Sequence, residues 1–166
     1  MSMRASGILM PITSLPSKYG IGCFSKEAYD FIDGLVKAHQ SYWQILPLGP
    51  TSFGDSPYQS FSTFAGNPYF IDLEELIEEG LLSKEECDEC DFGDDERNVD
   101  YGKVYESRFG LLWSAFENFN VDTEDYKEFV KDNSAWLEDY SLYMAIKDSY
   151  EGEMWTDWDD DIKLRE

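Results

Sequence analysis

The densest chemistry in the chain lies in Leu48–Asn67 and just beyond it. Phe53, Tyr58, Phe61, Phe64 and Tyr69 are interleaved with Asp55, Ser56, Gln59, Ser60, Ser62 and Asn67. Flat rings among short hydrogen-bonding groups suit a ligand with apolar faces and hydroxyl edges, such as a sugar. The ring covers the C–H face, and amide or carboxylate groups hold paired hydroxyls. The competing reading is that these rings plug the mouth of a barrel. The segment has no helical or alternating period, and a loop this long inside a compact domain is usually functional.

Other candidate chemistries fit less well. Cys87-x-x-Cys90 has the spacing of half a zinc site. A structural zinc takes four ligands, and the chain adds only Cys23 and His39. Glu85, Glu86, Asp88, Glu89 and Asp91 surround the pair. Their charge raises the thiol pKa and suppresses the reactive thiolate, which argues against redox work. Asp157, Asp159, Asp160 and Asp161 lack the glycine turn and distal glutamate of a calcium loop, and read as solvated surface. His39 falls at the end of a helical pattern, where it can meet the last carbonyls. No metal and no cofactor is expected.

The elements that must position the loop follow from periodicity. Gly7–Ile12 is an apolar run ending at Pro11, and Tyr42–Leu46 is a second, stopped by Pro47. Both read as buried strands. Between them Ser25 is a candidate N-cap, and Ala28, Phe31, Ile32, Leu35 and Val36 line one face of a helix. Strand, helix, strand predicts a βαβ unit with parallel strands and a right-handed crossover. Such strands are expected to be covered on both faces. Sites in parallel α/β folds lie at the C-terminal strand ends, which here lead into Thr13–Cys23 and Leu48–Asn67.

Beyond Phe70 the pattern turns helical. Asp72-x-x-Glu75 and Ser83-x-x-Glu86 read as capping boxes, and Gly80 as a helix stop. Cys87–Asp100 reads as an exposed acidic connection. Tyr105, Phe109, Leu112, Phe116 and Phe119 form one apolar stripe. Tyr126, Phe129 and Val130 form a second. Trp136, Leu137, Tyr140, Met144 and Ile146 form a third, capped by Asn133 or Ser134. Trp155 and Trp158 are either buried or free to contact something beyond this chain.

Composition sets the bounds. The chain has 166 residues, 42% hydrophobic, with a net charge of −22. That is enough apolar material for a core, and it excludes a disordered tail. The negative charge disfavours nucleic acid and anionic membranes as partners. No apolar run of membrane-spanning length and no secretory signal is read, and three cysteines suggest a reducing compartment. All six prolines lie in residues 1–70, where four acids balance four bases; residues 71–166 hold 31 acids and nine bases. The expected organisation is therefore 1–70, a βαβ unit with the substrate loop, and 71–166, an acidic helical subdomain. Two parallel strands do not make a stable sheet. Either helices alone cover them, or this chain begins a barrel that it does not close.

The motifs carry a resemblance. Ser14-Leu15-Pro16-Ser17 with Tyr19-Gly20-Ile21-Gly22, and above all the stretch from Tyr42 to Leu73 with GDSPYQ at 54–59 and AGNPY at 65–69, resemble the 4-α-glucanotransferases, or amylomaltases, of glycoside hydrolase family 77. The resemblance covers nearly the whole chain. It implies the N-terminal segment of a (β/α)8 TIM barrel, the first two parallel strands, with a largely helical insertion.

It also implies transfer of α-1,4-glucan segments between maltooligosaccharides in the cytoplasm, by a retaining mechanism that uses a carboxylate nucleophile and a carboxylic acid/base. The motifs holding those carboxylates do not occur here, so the chain is expected to supply no catalytic residue and to be inactive alone. By the same resemblance Tyr58 stacks on the sugar at the cleavage site and Ser56 contacts it. Asp55 and Asn67 read as turn-forming residues. Phe53 and Tyr105 are aromatic positions that could meet a longer glucan, with core packing as the preferred reading for both. Two alternatives remain open at this point: a non-catalytic glucan-binding fragment, and a module that self-associates through an open barrel edge.

Overall fold

The computed structural model describes residues 4–95 and 97–165. In chain order it runs β1 (Gly7–Leu9), α1 (Lys26–Lys37), β2 (Tyr42–Gln44), α2 (Leu73–Glu78), α3 (Lys84–Glu89), α4 (Tyr101–Asn118), α5 (Glu124–Asp132), α6 (Leu137–Ser149) and α7 (Asp160–Lys163). Single 3-10 turns occupy Ile12–Ser14, Pro68–Phe70 and Trp155–Asp157. The chain divides into two compact units, Met1–Phe119 and Asn120–Glu166.

In the first unit β1 and β2 pair in parallel, with Gly7 opposite Tyr42 and Leu9 opposite Gln44. The bond from Met10 N–H to the Gln44 carbonyl, 3.0 Å, extends the ladder by one step. Pro11 then ends it, because it has no N–H to donate. The strands are thus shorter than the apolar runs that announce them. Nor are they covered on both faces: Ile8, Leu9 and Tyr42 are exposed. The covered side packs Trp43 edge-on against Phe31 of α1, ring centroids 4.9 Å apart, with Ile12, Leu15 and Ala28 at the centre. The Trp43 indole also donates to the Met10 carbonyl at 2.8 Å.

Helix ends follow local chemistry. Ser83 and Glu86 form the full capping box on α3, with the Glu86 N–H donating to the Ser83 hydroxyl and the Glu86 carboxylate accepting from the Ser83 N–H. Asp72 caps α2 by accepting from the Glu74 N–H, and Asp100 caps α4 by accepting from the Lys103 N–H. Ser25 stands at the N-cap of α1, but its hydroxyl donates to the Glu27 carboxylate instead of capping the backbone. His39 ends that helix through its backbone, in the left-handed region with its N–H on the Val36 carbonyl. Asn133 does not cap α6. It closes α5, its backbone and side-chain N–H groups both donating to the Phe129 carbonyl, and α6 begins only after Trp136.

The packing boundary after Phe119 does not coincide with the composition change near residue 70. Tyr19 and Ile21, from the loop after β1, are buried among Leu73, Cys87, Val104, Leu111 and Ala115 of the helices and Leu82 of the α2–α3 connection. Cys87 is part of this core, so the segment that begins with it is not wholly an exposed connection. Gly22 allows the loop to enter: a Cβ there would lie 2.2 Å from the Ile12 carbonyl oxygen.

The face that α4 buries differs from the ring stripe. It consists of Val104, Arg108, Leu111 and Ala115. Tyr105, Phe109 and Phe116 point outward. Small aliphatic side chains let α4 approach the Tyr19 loop closely, and the rings, one position further on, are left on the opposite side.

Arg108 is completely buried, at 0% exposure. Its guanidinium donates to the Ile71 carbonyl and, at 3.5 Å, to the Tyr19 carbonyl, while Nε has no partner among the described residues. Burial pulls its pKa down, and the nearby Cys23 thiol and Asp72 carboxylate oppose that shift. The same burial pushes the Cys23 thiol up to about 11.

In the second unit Trp158 is buried and stacks on Tyr150, centroids 5.7 Å apart, with Tyr143 tilted against it. Trp155 is exposed. The α5 stripe of Tyr126, Phe129 and Val130 is also exposed. No helix of the described residues is long and apolar enough to cross a membrane.

Two outcomes follow from this packing. Arg108→Ala leaves two carbonyls without their donor beside a new cavity, so it lowers the stability of the first unit by about 3 kcal/mol or more. Ser83→Ala removes one cap and lowers it by about 1 kcal/mol. Urea unfolding monitored by circular dichroism measures both, and the order of the two effects is the check.

Candidate functional site

The long loop leaves β2 at Ile45 and is tied down at its far end by Asn67. The Asn67 N–H donates to the Leu48 carbonyl at 2.9 Å, which brings the two ends of the loop together. Its side-chain oxygen accepts from the Tyr69 N–H at 3.0 Å and starts the Pro68–Phe70 turn. Asn67 is buried, so both groups are used structurally, as an Asx-turn requires.

Two consecutive turns shape the tip. The Asp55 N–H donates to the Ser52 carbonyl at 3.0 Å, and Gly54 supplies the positive φ of 91° that this turn needs. Asp55 itself stands in the left-handed region at 53°, a conformation Asp tolerates better than most residues. The Gln59 N–H then donates to the Ser56 carbonyl at 3.0 Å, with Pro57 inside the turn. The Ser56 hydroxyl accepts from the Tyr58 N–H at 3.4 Å. That bond uses an oxygen lone pair and leaves the hydroxyl proton to donate elsewhere. The turn lifts the Tyr58 ring into solvent at 73% exposure.

Beneath the tip lies a cavity of about 120 Å³ lined by Ile12, Thr13, Thr51, Asp55, Tyr69 and Tyr101, among others. Asp55 is its charged group. Burial raises the Asp55 pKa, and hydrogen bonds from Thr51 and Tyr69 partly oppose this. Burial, and then the Asp55 charge, push the Tyr69 and Tyr101 phenols upward, so both stay protonated. The cavity is below the size range of ligand pockets, about 300–1,000 Å³. It serves as the floor of the loop, and the surface open to a ligand is the ring face above it. Among the described residues no group of three His, Cys, Asp or Glu side chains is arranged to hold a metal ion.

The four residues singled out from the sequence are thus distributed as follows. Tyr58 and Ser56 belong to one turn. Phe53, at the tip, is fully exposed, and Tyr105 on α4 is exposed and packs only one side against Phe109, centroids 4.8 Å apart. Neither is a core residue, which overturns the packing reading for both. Tyr105 joins the loop through a chain of rings: Phe109 meets Tyr69 at 6.0 Å, and Tyr69 meets Tyr101 at 6.2 Å. Sequence reasoning did not single out Tyr101, Thr13 or Arg108. Tyr101 follows the Asp100 cap directly, and that cap was the available signal.

Known proteins share the sequence and the fold of this chain. The family model described as 4-alpha-glucanotransferase, Glyco_hydro_77, matches residues 10–166. The chain is similar to the 4-alpha-glucanotransferase of Streptococcus pneumoniae, 53% identical over 162 residues, covering 96% of this chain and 32% of that protein. It is similar to that of Clostridium butyricum, 54% identical over 157 residues, covering 94% and 32%. Among solved structures it resembles the amylomaltase of Streptococcus agalactiae in complex with acarbose, 46% identical, with a TM-score of 0.87 over 95% of this chain and 32% of that one. The chain spans about a third of the length of these relatives and corresponds to their N-terminal part. Its βαβ unit is accordingly the opening of a TIM barrel, as the motifs implied. The chain belongs to the 4-alpha-glucanotransferase family, glycoside hydrolase family 77.

Proposed function

We propose that this chain supplies the donor-sugar side of a 4-α-glucanotransferase site that acts on maltooligosaccharides. The observation that carries the reading is the exposed Tyr58 ring, held out by the Ser56–Gln59 turn at the C-terminal end of the second barrel strand. A glucosyl unit places its C–H face on that ring, and Ser56 donates its hydroxyl proton to the sugar. Phe53 and Tyr105 extend the apolar surface outward. The S. agalactiae amylomaltase, solved in complex with acarbose, supports a glucan-like ligand for the family.

Retaining transfer needs a carboxylate nucleophile and a carboxylic acid/base about 5–5.5 Å apart. The nucleophile attacks the anomeric carbon while the acid protonates the leaving oxygen. The acceptor 4-hydroxyl then gives its proton to the same residue and displaces the nucleophile. Asp55 is the carboxylate under the loop, and its bonds to Thr51 and Tyr69 assign it to loop shaping. In this reading the catalytic pair comes from outside the 166 residues, no cofactor takes part, and the chain alone transfers nothing. The parent reaction is placed in the cytoplasm, in maltose, glycogen or starch metabolism, with neither nucleic acid nor membrane as partner. A net charge of −22 supports the last point.

The exposed apolar residues of the two-stranded sheet, Ile8, Leu9 and Tyr42, favour a second reading beside it, self-association through the open barrel edge. Mass that rises with concentration in sedimentation supports it, and a constant monomer mass removes it.

The sugar reading predicts that Tyr58→Ala weakens maltotriose binding about fivefold, since a stacked ring contributes on the order of 1 kcal/mol. Tyr58→Phe retains most of the affinity. Calorimetry decides: equal loss in both variants contradicts stacking. No transfer from maltotriose is expected from the chain alone.

A further inference from the structure

Turn geometry alone does not explain the charge on Asp55. Asp55 ends the turn that starts at Ser52, and the next residue, Ser56, opens the turn that carries Tyr58. Its backbone is in the left-handed region. Asparagine tolerates that region as well as aspartate does, so the turn by itself calls for neither charge nor a second oxygen. Yet the residue is a carboxylate, and it lines the cavity beneath the tip.

The groups that face it there are hydroxyls. Thr51 Oγ1 donates to the Asp55 carboxylate at 3.4 Å. The Tyr69 phenol, on the Pro68–Phe70 turn, is its second hydrogen-bond partner. Tyr101, the first residue of α4, feels the Asp55 charge and is hydrogen-bonded to Thr13 of the turn after β1. Arg108 and Tyr105 of α4 act in turn on Tyr69. The arginine keeps its charge. Burial pushes the Tyr69 and Tyr101 phenols upward. Asp55 is therefore the member of this cluster that changes charge on mild acidification, and burial moves that change above the usual aspartate range.

Ionisation decides how firmly the carboxyl is tied. A carboxylate accepts at both oxygens and takes the Thr51 and Tyr69 protons together. A protonated carboxyl has one O–H that must itself donate, among partners that are already donors. Charge-assisted bonds are also roughly twice as strong as neutral ones. Protonation thus loosens the ties of a left-handed residue that stands one step before the Tyr58 turn.

We propose that Asp55 is a positioning residue for Tyr58: its ionised carboxylate fixes the Ser56–Gln59 turn to the floor of the loop, and protonation releases it. The consequence for sugar affinity rests on the reading of Tyr58 given above; the consequence for the turn does not. Linkage makes the coupling reciprocal, so a sugar that prefers the fixed turn lowers the pH at which Asp55 takes up its proton.

NMR of the whole chain, over a pH series from neutral into the ordinary carboxylate range, tests this. The Asp55 carboxyl carbon and the Ser56 and Tyr58 amides titrate with one midpoint. Calorimetric maltotriose affinity falls about threefold as pH drops through it, and saturating maltotriose moves the midpoint down by about 0.5 pH unit. Asp55→Asn binds at the weakened level at neutral pH and shows no step. Thr51→Val removes one tie while keeping the side-chain shape, and it raises the midpoint and the affinity step together. Ser56 and Tyr58 amides that ignore the Asp55 midpoint overturn the proposal. A step that persists in Asp55→Asn, or that stays in place in Thr51→Val, overturns it as well. Affinity that is flat with pH while the amides follow Asp55 overturns the role in sugar binding. Amides that follow Asp55 in a chain that binds no maltotriose at any pH uphold the coupling and remove the Tyr58 sugar reading.

Discussion

One buried guanidinium joins the two loops at the C-terminal strand ends to the helices behind them. Arg108 donates to the carbonyl of Tyr19, in the loop after β1, and to that of Ile71, just after the turn that closes the loop following β2. Both carbonyls stand where the backbone leaves regular structure, so neither finds a ladder partner, and an unpaired buried carbonyl costs about 1–3 kcal/mol. A leucine in that position would fill the volume and satisfy neither. Desolvation opposes the charge, and no carboxylate pairs with it closely among the described residues; the Asp72 charge and the Cys23 sulfur offset part of that penalty. The loop bases are thereby fixed to a helix of 18 residues, the longest element of the unit.

A fixed base gives a loop that is shaped before any ligand arrives. Asn67 closes its neck, two turns set its tip, and Asp55 with Tyr69 and Tyr101 fills its floor. The chain then spends its polar groups on the loop's own conformation and leaves its rings outside. That division explains why the apolar surface here is aromatic and clustered around one loop and one helix face, while the aliphatic residues of α4 are buried.

Much of this could be read from the sequence. The βαβ opening followed from two apolar runs bracketed by prolines, the Ser83 box from its spacing, and the family from GDSPYQ and AGNPY. The face of α4 could not. Its ring series and its aliphatic series are one residue apart, and both repeat with helical spacing, so a count of apolar positions favours the bulkier set. Which set faces inward depends on how closely the Tyr19 loop approaches, a tertiary fact. Arg108 was hidden for the same reason: a lone arginine among rings reads as surface until the buried face is known. The extent of strand coverage was equally illegible, because coverage depends on neighbours that two strands do not specify.

The central claim is that the Tyr58 loop is a preformed sugar surface held by the buried core. Amide NMR of the chain, titrated with a maltooligosaccharide, tests it most directly. The account predicts a dispersed spectrum in which residues 53–62 shift while the buried residues around Arg108 stay still. A well-dispersed spectrum that does not respond to the sugar would contradict it.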